Sequence, residues 1–159
     1  MTADRIYVFL HILGAFMIVG GAVAGALLYA AIRRTSEVAQ LELLLRISLR
    51  VPMITMPGAL IAIITGTLLA MKLGLNMGAL WLSASYMLWF IVVALSAAVL
   101  GPAVKAAHTL ALKDLADGKQ TASEALTDAI ASPRIRLVSR VLEASLLVFL
   151  YLMVFRPGA

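Results

Sequence analysis

Four apolar runs dominate the chain, at Ile6–Ile32, Val51–Met71, Ala79–Val104 and Arg134–Phe155. Short stretches rich in Arg, Lys, Asp, Glu and Gly separate them. An α-helix rises about 1.5 Å per residue, so each run can cross a hydrocarbon core of roughly 30 Å. The first run contains no acidic or basic residue except His11. On a wheel of about 100° per residue, His11, Gly14, Gly21 and Gly25 fall within roughly 80° of arc. The histidine therefore shares the face on which a second helix backbone can approach closely.

The stretch 36–50, SEVAQLELLLRISLR, follows a different pattern. Leucines recur at helical spacing among charges, and Glu42 and Arg46 form an i,i+4 pair in the favoured order. This predicts an amphipathic helix at the membrane surface, with Ser36 placed to cap it. In the second run, Pro52 suits a helix start and Pro57-Gly58 should loosen or kink the helix. Gly58, Ala62 and Gly66 make another stripe of small residues for helix packing.

The third run gathers Trp81, Tyr86 and Trp89 near its start, as at a membrane–water interface, and Gly101-Pro102 should bend its far end. Helix is expected to continue through Lys105, His108 and Lys113 into a soluble connector, 105–133. Thr121-Ala-Ser-Glu124 has capping-box spacing and predicts a short helix there. Arg46-Ile-Ser-Leu-Arg50-Val51 precedes the second run and Arg136-Leu-Val-Ser-Arg140-Val141 enters the fourth. That match suggests a tandem repeat of two helical hairpins about an axis along the membrane normal. The fold expected over 1–159 is thus all-α, a single integral-membrane domain forming an up-down four-helix bundle.

Composition agrees with the pattern. The chain is 63% apolar with a mean hydropathy of +1.03, whereas a soluble domain is about 45–50% apolar. Lipid is its solvent. The absence of cysteine excludes disulfides and thiolate metal sites. The net charge of +5 is not a nucleic-acid surface, because no basic run interleaves with aromatics. Ten of the 13 Lys and Arg residues lie around the first and third connectors; only Arg5, Lys72 and Arg156 lie at the other end. The positive-inside rule makes the ten-residue side cytoplasmic and places both termini outside. The short charged stretch Asp4-Arg5 before a long apolar run does not suit a cleavable signal peptide. The small-residue faces point to partners beyond the bilayer, either other membrane subunits or copies of the same chain.

His11 is the leading candidate for chemistry. It lies roughly 8 Å along the helix from Ile6. A neutral imidazole at that depth can ligate haem b iron or copper, or relay a proton; equally, it can bond a neighbouring carbonyl and hold two helices in register. His108 belongs on the opposite side, on the order of 30 Å away, as a surface residue near Lys105, so one chain cannot supply two histidines to one haem. Met71, Met77, Met87 and Met153 lie towards the side of His11 and could offer sulfur, or simply fill gaps. Glu143 is the carboxylate inside a run, roughly 13 Å beyond Arg134. It should pair with Arg140 or Arg50, or else serve as a proton or cation relay in a small transporter. No motif for phosphate binding or nucleophilic catalysis is present.

His11 in ILGAFMIVGG, the Arg-rich connector, PGALIAIITG and LWLSASYMLWF together resemble the bacterial integral membrane proteins grouped as domain of unknown function 2269. That family is similar to a wider CopD-like set, which includes proteins of copper uptake and haem-containing membrane protoporphyrinogen oxidases. The resemblance implies a multi-pass protein of a bacterial-type inner membrane, with haem or copper at His11. Those oxidases pair a first-span His with a third-span Lys. The Lys would fall near Ser85, where this chain has none, which disfavours protoporphyrinogen oxidation. A non-catalytic subunit or accessory protein of a membrane complex is then the expected role.

Overall fold

The computed structural model describes the backbone of residues 2–158. Among the described residues the only regular elements are helices: α1 (Thr2–Ile32), α2 (Val38–Ser48), α3 (Pro52–Lys72), α4 (Leu80–Leu95), a π-turn (Ser96–Leu100), α5 (Gly101–Ala116), α6 (Glu124–Ala131) and α7 (Pro133–Phe155). Four helical stretches are long and apolar enough to cross a membrane: Asp4–Ile32, Val38–Lys72, Leu80–Ala116 and Glu124–Phe155. Their lateral surfaces are apolar and open, with Phe16 74% and Leu147 71% exposed, as lipid-facing side chains should be.

Proline and glycine set the breaks. α3 runs continuously through Pro57. In the third stretch, Pro102 lacks the N–H that would bond the Ala98 carbonyl, and the π-turn immediately before Gly101 widens the helix there. α3 and α5 end alike. Gly74 (φ 63°) and Gly118 (φ 72°) take the left-handed conformation. The next N–H then returns to the last turn, Leu75 to the Ala70 carbonyl and Lys119 to the Asp114 carbonyl, both at 3.0 Å.

Buried side chains gather at the two ends. At the connector end, Ile32, Leu41, Leu45, Ala107, Ala111 and Leu126 bring α1, α2, α5 and α6 together. At the terminal end, Ala70, Ala79, Trp81, Leu82 and Leu152 join α3, α4 and α7. An antiparallel bridge between Glu37 and Thr121 stitches the two connectors. Its bonds run from Val38 N–H to the Gln120 carbonyl (3.1 Å) and from Ala122 N–H to the Ser36 carbonyl (2.8 Å).

This bridge corrects two expected caps. Pairing holds Glu37 in extended backbone, so Glu37 rather than Ser36 stands at the N-cap of α2, with no side-chain cap. Thr121 is likewise held in the bridge, and Ser123 caps α6 instead, accepting from Leu126 N–H at 3.3 Å.

Candidate functional site

α1 and α3 form the most intimate helix pair, and small residues are the reason. A methyl group added at Gly14 would stand 2.7 Å from the Gly58 carbonyl oxygen and 2.8 Å from the Ala62 nitrogen. One added at Gly58 would stand 2.6 Å from Met17 Cβ, and one at Gly21 would overlap the Thr55 methyl. The backbones therefore touch along Gly14, Gly58 and Ala62. Gly25 departs from the expected stripe: nothing lies within 4 Å of its would-be Cβ. Gly21 already faces Thr55 and Val51 at the start of α3, so one turn further on there is no partner helix left to meet.

His11 sits within this pair. Its Nδ1–H donates to the Ala62 carbonyl at 2.8 Å. A carbonyl only accepts, so the proton is on Nδ1 and the Nε2 lone pair stays uncommitted. The ring lies against Gly66, where a Cβ would approach Cε1 to 2.8 Å. Gly66 is small because the imidazole occupies its side-chain space. About two turns outward, Lys72 Nζ meets the Asp4 carboxylate at 2.8 Å and closes the same pair at the terminal end.

Other ties run from α3 to α4. The Thr67 and Tyr86 hydroxyls bond at 2.7 Å, and Trp89 Nε1–H donates to the Ala59 carbonyl at 3.3 Å. The aromatic group of the third run is thus partly structural. Trp81 is buried, with the Arg156 guanidinium 5.6 Å over its ring.

Met71 is 62%, Met87 63% and Met153 38% exposed, on outward surfaces of α3, α4 and α7. Among the described residues, no group of three His, Asp or Glu side chains is placed to hold a metal. His11 Nδ1 is committed to the Ala62 carbonyl, so Nε2 is the ring nitrogen of this imidazole left to face a ligand. An open groove of about 450 Å³ is lined by Leu27, Ala31, Arg34 and Gln40 at the connector end, well away from His11.

The expected intramembrane ion pair is not formed. Glu143 meets neither Arg140 nor Arg50 within ion-pair distance, and all three are exposed. The buried stripe of α7 is Val138, Ser145 and Leu152, 7%, 4% and 8% exposed. At about 100° per residue, Glu143 and Arg140 are roughly 60° apart, centred on the face opposite that stripe. Both point away from the bundle interior. Arg50 instead lies beside Met53, its Nη1 3.8 Å from the sulfur.

Two polar groups towards the connector end are more engaged than their sequence context suggests. His108 is not a free surface residue: its Nε2 lies 3.1 Å from Glu42 Oε1, which also meets Arg46 Nε at 3.5 Å, joining α5 to α2. Asp114 is 2% exposed. It stands about 50 Å along the third stretch from Leu80, beyond a core of roughly 30 Å. Its carboxylate accepts from Lys119 Nζ at 2.7 Å and from Ser123 N–H at 2.9 Å. These donors, Lys119 first and Ser123 second, hold its pKa down to about 2.

The model of a family described as predicted integral membrane proteins, DUF2269, matches residues 5–157. The chain belongs to that family. No curated protein and no solved structure matches it. The DUF2269 description agrees with the four apolar helices and names no activity, so function has to be argued from the geometry.

Proposed function

We propose that this DUF2269 protein is a non-catalytic accessory subunit of a membrane complex. The observation that carries the reading is the outward charged face of α7. Glu143 lies about 13 Å along the helix from Arg134 and about 20 Å from Arg156, at hydrocarbon depth. An acidic residue near a helix centre costs on the order of 3 kcal/mol to insert into lipid, so a partner there has a driving force. The remainder of the chain behaves as a support. Glycine contacts fix α1 on α3, and the connectors form a packed cap. Ten basic residues around the connectors put that cap in the cytoplasm, and the termini on the far side.

A second reading rests on His11. Metal-bound histidines typically donate their other ring N–H to a carbonyl, and the Nδ1–Ala62 bond is of that kind. Nε2 would then be the one protein ligand to haem iron or copper.

Extraction in native lipids separates the readings. The accessory role predicts a colourless protein retained with a membrane partner at fixed stoichiometry, with Glu143→Leu releasing that partner while the chain stays folded. A stoichiometric Soret band or bound copper, lost in His11→Ala, on a chain without partners would replace it with the second reading.

A further inference from the structure

The α7 face carries both signs of charge, and that mixture selects the partner. A foreign helix recognising Glu143 alone would need only a cation of its own. Here an exposed Arg140 stands one turn from an exposed Glu143, and neither is in an ion pair. Such a patch is complementary to itself. We propose that α7 docks against α7 of a second copy of this chain, with Arg140 of each copy pairing with Glu143 of the other. The inference rests on the accessory reading, in which this face binds protein, and goes further by naming the first occupant.

Two copies in one membrane share an orientation, so their two-fold axis lies along the membrane normal and the α7 helices run parallel. Arg140 is then offset from the opposing Glu143 by three residues, about 4.5 Å in height. Packed helices lie about 8–10 Å apart, and a guanidinium on its long stem spans that diagonal. The symmetry makes two such pairs. Ala144, exposed on the same side, removes bulk between the charges and Leu147. Leu147, Leu150 and Val154 (71%, 62% and 63% exposed) continue the face towards the terminal end as its apolar part. Pairing across the interface takes both charges out of lipid contact, which an ion pair within a single exposed helix does not do.

Two charge reversals test this. Arg140→Glu leaves two acids on the face, and Glu143→Arg leaves two bases. Each variant alone should lose self-association by about tenfold or more, because like charges then oppose each other twice. Co-expressed with different tags, R140E and E143R should recover association with each other to near the wild-type level, since both cross-pairs are restored. Tryptophan fluorescence melting, reporting on Trp81 and Trp89 in α4, checks that each variant is folded. Should a reversal misfold, Arg140→Gln and Glu143→Gln serve instead, each weakening wild-type association. The inference is overturned if wild-type chains are monomeric in native-lipid particles, or if the reversed pair associates no better than either variant alone. Wild-type monomers that retain a different membrane protein through Glu143 would overturn the second copy and keep the accessory role. Monomers retaining nothing would end both.

Discussion

The α1/α3 pair and the connector cap are held together by opposite means. In the pair, contact is made by what is missing: Gly14 and Gly58 lack side chains, so backbone lies on backbone. In the cap, contact is made by what is buried: Leu41, Leu126 and Val38 are 1%, 0% and 0% exposed. Lipid supplies no hydrophobic drive between helices, so close dispersion contact and a few hydrogen bonds must hold the spans. With the connectors in water, as the accessory reading places them, burial of apolar surface drives the cap together as in a soluble domain. The cap also carries the features of soluble proteins, a capped short helix and a buried carboxylate with two donors. Each region should therefore fail in its own way.

The largest effect is expected from Gly14→Leu. Its side chain must enter space filled by the α3 backbone, which cannot move aside as a flexible side chain could. The loss should be on the order of 3 kcal/mol or more, seen as a lower melting temperature in detergent or as no folded protein. Gly25→Ala tests the same idea from the other side. With open space at its Cβ it should be neutral, or stabilise by roughly 0.5 kcal/mol through helix propensity. If Gly25→Ala were as damaging as Gly14→Leu, the contact geometry of the pair would be wrong.

Leu126→Ala should cost about 2–4 kcal/mol, as for a fully buried soluble core. Its signature is local: faster amide exchange and protease cutting around 116–131, with the α1/α3 pair intact. Acid probes the same region. The Asp114 pKa is depressed to about 2 from an ordinary value of 3.8. Its stabilising contribution is therefore complete above that ordinary value and is lost as the pH falls towards about 2. Exchange in the 114–123 turn should rise across that window in the wild type, and Asp114→Asn should show the faster exchange already at neutral pH.

His11→Ala is expected to be the mildest of the destabilising changes. It removes one hydrogen bond between helices, about 1 kcal/mol, together with the ring that fills the space above Gly66. The double variant with Gly66→Ala should recover part of the loss, because the new methyl occupies what the imidazole vacates. Absence of any recovery would mean that the ring does not lie where the structure has it.

These regions also differ in how far the sequence revealed them. The apolar runs and the stripes at Gly14, Gly58, Ala62 and Gly66 were legible, because membrane length and small-residue spacing leave direct marks on a chain. The partner of His11 was not, since a backbone carbonyl has no residue signature. The cap was hidden for another reason. Its apolar residues are divided among α1, α2, α5 and α6, and no one of these segments marks a shared core by itself. The burial of Asp114 leaves no mark in the sequence, because its donors, Lys119 and the Ser123 amide, come from a turn that only folding brings back onto α5. Glu143 stands out in the sequence as a carboxylate within an apolar run, but whether it pairs within the chain depends on which way α7 turns its faces, and that has no residue signature. The structure turns it outward, so the missing half of the pair is sought in another molecule.

Mass in native lipids addresses that last point most directly. Wild-type protein released into lipid nanodiscs without detergent should be found with more than one protein chain per particle, and Glu143→Leu should reduce it to single chains of 16.9 kDa. Single chains for both proteins, equally stable, would contradict the assignment of the α7 face as a protein-binding surface.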